Sequence, residues 1–147
     1  MSKILLGIDE IWTLAEPVIS SNGEFRLFHR GTSMLPLLRE GNDSVLLVAP
    51  CDVKKNDIVL YKRASGQFVM HRIIKVKKDE YIMCGDNQYE HEHGIKKENI
   101  LAKVKGVYRD EVYFEVNNKE YIKYVKKLPI RRAKIRFLYF IGVHKRA

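Results

Sequence analysis

Between Glu24 and Val116 the chain is cut into short segments of strand character: "EFRLFHR", "SVLLVAP", "DIVLYKR", "QFVMHRIIKV", "EYIMC", "ILAKVKGVYR" and "EVYFEV". Each is rich in β-branched and aromatic residues and is bounded by Gly, Asn, Asp or Pro, which predicts a body of antiparallel β structure. Two joins predict hairpins: "DIVLYKR-ASG-QFVMHRII", with a three-residue loop containing Gly66, and "GVYRDEVYFEV", turning near Asp110. The pattern changes at both ends. Ile8, Ile11, Trp12, Ala15 and Val18 recur at helical spacing, predicting a short amphipathic helix broken near Pro17. Past Glu120, Tyr121, Ile122, Val125 and Leu128, then Ile130, Ala133, Phe137, Leu138 and Ile141, predict two helical pieces separated at Pro129. The expectation is one mostly β domain: a helix and lead-in over 1–27, a β core over 28–118 and a basic helical tail over 119–147.

At 147 residues such a domain can bury roughly two-thirds of its unfolded surface. Cys51 and Cys84 are the only cysteines, so free thiols and a reducing, cytoplasmic setting are expected. The amino-terminal apolar stretch is cut short by Asp9 and Glu10, and the run from Phe137 to Val143 falls far below the roughly 20 residues of a spanning helix. Neither a signal sequence nor a membrane span is expected. The net charge of +9 is local: from Tyr121 onward nine basic residues meet no acidic one, and the remainder is balanced. A neutral body with a basic tail predicts a docking surface for phosphates, acidic lipid or an acidic partner. No helix-turn-helix pattern or aromatic-basic RNA signature accompanies it, so no specific nucleic acid is expected.

"GTSMLPLLREG" carries Ser33 on a sharp turn. Gly31 allows close backbone approach, Pro36 fixes the exit, and Met34 and Leu35 can anchor the loop in the core. A nucleophilic serine needs such exposure, backbone N–H groups for an oxyanion and a base within reach. Taken alone, the stretch fits ordinary turn chemistry better than catalysis. His71, in "FVMHRIIKV", shares a strand face with Val69 and Ile73, while Met70, Arg72 and Ile74 take the other. It is either a satisfied structural histidine or the proton acceptor for Ser33.

Taken in order, "GTSMLPLLREGNDSVLL", "NDIVLYK", "VMHRIIKV" and "CGDN" resemble the successive boxes of the type I signal peptidases and their LexA-like relatives, over about Phe28 to Val107. The His-Arg-Ile form of the base box resembles the endoplasmic-reticulum and sporulation-associated variants. The resemblance implies a serine endopeptidase on a mostly β scaffold that cuts a precursor or leader peptide, bound as an added strand, without cofactor or metal. It implies Ser33 as nucleophile, His71 as general base, Asp86 of "GDN" as an orienting acid, and Gly31, Ser33 and Met34 around the oxyanion and substrate. Asp86 read by itself is equally a turn aspartate capping its own backbone.

The chain departs from the family pattern in places. Where histidine-type members carry a second aspartate, it has "QYEHEHG", which leaves the third catalytic member open among Asp86, Glu90, Glu92 or none. Asp43 is displaced by one residue behind Asn42, a change expected to affect only a turn. His91 and His93 have ligand chemistry but no metal-site spacing, so a solvated loop is expected there. For the tail two arrangements stay open. Either the stripe of Ile130, Ala133, Phe137, Leu138 and Ile141 meets an anionic membrane surface, or it packs on the body and leaves Arg131, Arg132, Lys134 and Arg136 solvated.

Overall fold

A computed structural model describes residues 6–142. The start of the amino-terminal stretch and the end of the tail, with Val143, Lys145 and Arg146, lie outside the described residues. In chain order the elements are α1 (Ile8–Ser20), β1 (Phe25–Phe28), β2 (Ser44–Val48), β3 (Ile58–Lys62), β4 (Phe68–Val76), β5 (Tyr81–Cys84), β6 (Glu92–Ile95), β7 (Ile100–Arg109), β8 (Val112–Glu115), α2 (Lys119–Lys126) and α3 (Leu128–Phe140). All strands pair antiparallel in one eight-stranded sheet ordered β1-β2-β7-β3-β4-β5-β6, with β8 on β7. The expected mostly β class is observed. No helix among the described residues is long and apolar enough to cross a membrane.

Strand alternation sends β3 into two cores. Ile58 and Leu60 join Met34, Leu47, Met70 and Val104 beneath α1, while Val59 and Tyr61 join Ile73, Met83, Ile95 and Ile100 on the opposite face. Both predicted hairpins form. Arg63 N–H donates to the Gln67 carbonyl at 2.8 Å to close the first, and Asp110 and Glu111, both at positive φ, turn the second.

Two expectations need correction. α1 does not break at Pro17 but runs on to Ser20. The proline forfeits only its own bond to the carbonyl four residues back, and the helix ends one turn later, where Asn22 takes φ 62° and Gly23 N–H donates to the Val18 carbonyl at 2.8 Å. Ala15 and Ile19 are buried and Trp12 meets Phe68, whereas Val18 is turned outward. The second correction is to "EHEH": Glu90 and His91 lie in a solvated loop as expected, but Glu92 and His93 open the edge strand β6 (Glu92–Ile95), paired with β5 through Tyr81↔Ile95 and Met83↔Glu92. The charge of Glu92, the polarity of His93 and a central glycine hide this strand from any propensity reading; its partner supplies the order.

The tail divides as predicted. Asn118 caps α2 by accepting from Glu120 N–H at 2.8 Å, the break falls at Lys127, and Pro129 occupies the first turn of α3, where its missing N–H costs nothing.

Candidate active site

Ser33 sits in the loop from β1 to β2. Gly31 takes φ +83°, which favours glycine, and Met34, Leu37 and Leu38 are buried beneath while Ser33 stays partly exposed. Met34 anchors as expected; Leu35 is only half buried, and the deeper anchors are Leu37 and Leu38. The base of the loop is clamped by buried Asp43, which accepts from Arg39 N–H at 2.8 Å and from its guanidinium at 2.9 Å. Arg39 also reaches Asp110 at 2.6 Å, so the displaced aspartate ties the loop to the β7–β8 turn.

The "GDN" box packs directly on the serine turn. Asn87 N–H donates to the Ser33 carbonyl at 2.8 Å, and its Nδ2 donates to the Thr32 carbonyl at 3.1 Å. A Cβ at Gly85 would lie 2.6 Å from that same Ser33 carbonyl, so the approach requires glycine. Among the described residues the N–H groups of Gly31, Ser33 and Met34 are given to no acceptor, which leaves them free to hold an oxyanion.

His71 is 6 % exposed on β4, at the junction of two clefts. One, of about 470 Å³, holds Ser33 and His71 together between α1, the end of β1 and β4, with apolar walls from Ile11, Leu27, Leu60, Phe68 and Met70. The other, of about 260 Å³, is lined by His71, Arg63, Glu90, Glu92 and Tyr139. β5 begins pairing with β4 only at Arg72↔Cys84, so the β4 edge before Arg72 has no β5 partner and borders the first cleft.

The Nδ1 atom of His71 lies 3.2 Å from the Tyr61 hydroxyl, which donates its proton to Glu92 at 2.6 Å. Arg63 donates to the same carboxylate at 2.7 and 2.9 Å. A hydroxyl has one proton, and Glu92 takes it, so the Tyr61 oxygen accepts from Nδ1–H of His71. The tautomer is thereby set: Nε2 carries the lone pair, and the one side-chain hydrogen bond of His71 among the described residues is that of Nδ1. Burial holds the His71 imidazole down to about 4, against the opposing pull of Glu92. Although burial opposes its charge, Glu92 is kept below the usual carboxylate range by Arg63 and Tyr61, and burial with Glu92 beside it pushes Tyr61 up. The result is a neutral base with a fixed ring, ready to accept a proton from the cleft side.

Asp86 is not hydrogen-bonded into this chain and acts on His71 only as a nearby charge that favours its protonation. It is fully buried and accepts from Arg72 Nε and Nη2, both at 2.8 Å, and from the Tyr124 hydroxyl at 2.7 Å, with Arg132 at 3.6 Å. Arg72 in turn donates to the Asn56 carbonyl and to Tyr121, both at 2.7 Å. Although burial works against its charge, Asp86 holds the Arg72 guanidinium above its ordinary value. Adjacent residues on a strand point to opposite faces, so His71 and Arg72 deliver a base to one side and a structural clamp to the other. Of the alternatives for a third member, Glu92 is the one that reaches His71, through Tyr61.

Tyr61 and Arg63 escape a reading by residue type, although the hairpin register holds the signal. Val59 opposes His71 and Tyr61 opposes Val69, so Tyr61 must share the His71 face one diagonal away. His29 was also missed: it lines the serine cleft, is buried with Nε2 unpartnered among the described residues, and is kept neutral by that burial against the pull of Glu40 and Asp43. No family model, curated protein or solved structure matches this chain.

Proposed function

We propose that the protein is a serine endopeptidase of the signal-peptidase type, acting on a precursor or leader peptide with Ser33 and His71 as its dyad. The observation that carries this reading is the shared cleft that a partly exposed serine and a tautomer-fixed, unprotonated histidine both line. The free edge of β4 offers backbone pairing to an extended peptide beside both residues. Ser33 Oγ attacks the scissile carbonyl carbon while Nε2 of His71 takes the hydroxyl proton. The negative oxygen of the tetrahedral intermediate is held by the N–H of Ser33, with Gly31 and Met34 beside it. His71 then gives the proton to the leaving amine, and water, activated by the same nitrogen, releases the acyl group from Ser33. The imidazolium formed in between is balanced through Tyr61 by the charge of Glu92, as the free thiols Cys51 and Cys84 suit a reducing, cytoplasmic setting.

Incubation of a peptide library with wild-type protein, read by mass spectrometry for new amino termini, tests the proposal. Cleavage that vanishes in folded Ser33→Ala and His71→Asn is expected. Products that persist in Ser33→Ala, or none with any peptide length or composition, would remove the assignment in favour of a binding module on this scaffold.

A further inference from the structure

Of the two arrangements left open for the tail, the packed one is not observed: α3 is held to the body partly by arginines that it would have left solvated, and most of the stripe that it would have packed is exposed. Leu128 and Ile135 are buried; Arg131 Nη2 donates to Asn87 Oδ1 at 2.9 Å, and Arg132 lies 3.6 Å from Asp86. Tyr139 stacks on Tyr89 with ring centroids 5.4 Å apart. These contacts fix the rotation of the helix. Ile130, Phe137 and Phe140 are therefore turned outward, 75 %, 61 % and 88 % exposed, with Ala133 between them and Ile141 half exposed just beyond. They recur at three- and four-residue steps and form one ridge, to which Leu138, half buried, does not belong. On the same helical geometry Lys134 lies along one border of the ridge and Arg136 along the other, both exposed, and exposed Lys126 and Lys127 precede it.

We infer that this ridge is a docking face for an anionic membrane surface, with α3 lying in the interface and the apolar side chains dipping between headgroups. Exposed aromatic and aliphatic side chains bordered by cations are what such a surface recognises, the cations meeting lipid phosphates and carboxylates and the ridge meeting acyl chains. From Tyr121 onward no acidic residue occurs to oppose the attraction. A nucleic acid would satisfy the cations but offers no apolar partner to Ile130 and Phe140. A symmetric contact with a second copy would set Lys134 and Arg136 against their own like charges. Because Arg131 and Arg132 are engaged with the body, the bound helix would carry the Asn87–Ser33 junction with it rather than detach.

Flotation of the full chain with vesicles tests the inference without any measure of proteolysis. The protein is expected to rise with phosphatidylglycerol-containing vesicles at low salt, to stay behind with pure phosphatidylcholine, and to be released as ionic strength rises. Each basic residue removed near the surface should weaken binding about fivefold, so Lys134→Gln with Arg136→Gln should lose about 25-fold. Phe137→Ser with Phe140→Ser should lose at least about tenfold, with an unchanged melting curve because both side chains are already in water. Wild type that fails to float with anionic vesicles at low salt, or both double variants floating as well as wild type, overturns the assignment. So does a concentration-dependent dimer in sedimentation that the phenylalanine variants dissolve while vesicles capture nothing, which would give the ridge to a second copy.

Discussion

The two faces of β4 present the same chemical types in opposite states. On one, Arg72 and Asp86 are both 0 % exposed, joined by two 2.8 Å bonds, with Tyr121 and Tyr124 completing the set. On the other, Arg63 and Glu92 are partly solvated, Tyr61 leads inward to His71, and the second imidazole nitrogen has no protein partner among the described residues. The first arrangement ties the Arg72–Asp86 pair by several short hydrogen bonds with no solvent access, which is the condition for keeping charge in a core. The second leaves one imidazole nitrogen of His71 without a protein partner among the described residues, beside the clefts. A carboxylate-arginine-tyrosine group thus serves as scaffold when closed and, under the proposed activity, would tune a base when one valence is open.

The sharpest way to break that comparison is to delete the open side's chemistry without touching the closed side. Ser33→Ala is expected to lower cleavage by about 10⁴-fold or more with an unchanged urea midpoint. Residual turnover near wild type would mean that the open valence serves something other than Ser33. Next in size is the closed side. Asp86→Asn leaves a buried guanidinium facing a neutral amide and should cost about 3–5 kcal/mol of stability, read by urea unfolding. If that variant melts like wild type but cleaves poorly, Asp86 belongs with the base after all.

Acid should act on the open side first. His71 is depressed to about 4 by burial, so between the unfolded value near 6.5 and about 4 the unfolded chain binds the proton that the native state refuses. Stability is therefore whole above about 6.5, falls as the pH drops through that window and levels below about 4. The loss is on the order of 3 kcal/mol, with buried His29 acting in the same direction. Unfolding midpoints at pH 7 and 4.5, in wild type and His71→Asn, check the sign: the variant should lose most of the His71 share. Activity should persist well below pH 6.5 for the same reason. An acid limb at or above 6.5 would show that His71 is not held neutral as described.

The smallest expected effect sharpens the comparison most. Glu92→Gln keeps a hydrogen-bond acceptor but removes the charge that raises His71, so cleavage should fall about 10- to 100-fold while the acid limb moves to lower pH and stability changes by less than about 1.5 kcal/mol. A merely structural Glu92 would move the midpoint and leave the pH profile in place.

What the sequence discloses follows from where each signal resides. β3 and β4 are legible because Ile58, Val59, Val69 and Ile73 carry β-branched side chains between turn formers, and Ser33 and His71 because few residue types can attack or accept a proton. β6 is illegible because its order comes from Tyr81 and Met83 across the ladder, and with it goes the position of Glu92. Asp86 reads as an orienting acid from its box alone; only the meeting of residues from β4, the Gly85 turn and α2 shows its oxygens already taken. Arg131 and Arg132 defeat the ordinary rule that charges face water, since the buried acid that draws Arg132 inward lies far away in sequence.

Asn87 has one last consequence, for biosynthesis. It fastens the serine turn on one side and accepts Arg131 of α3 on the other, while Asp86 beside it waits for Tyr124. A ribosome delivers Ser33 and His71 early and α3 late, so the contacts behind the turn are complete only once the later helices have emerged from the exit tunnel. Under the proposed activity, a nascent chain stalled before Tyr121 should be inert toward a fluorophosphonate probe and one stalled well past Phe140 should label. Equal labelling of both would dissolve the link. If the proposed activity holds, assembly in this order would withhold Ser33 while the chain's own unfolded segments are still close enough to cut.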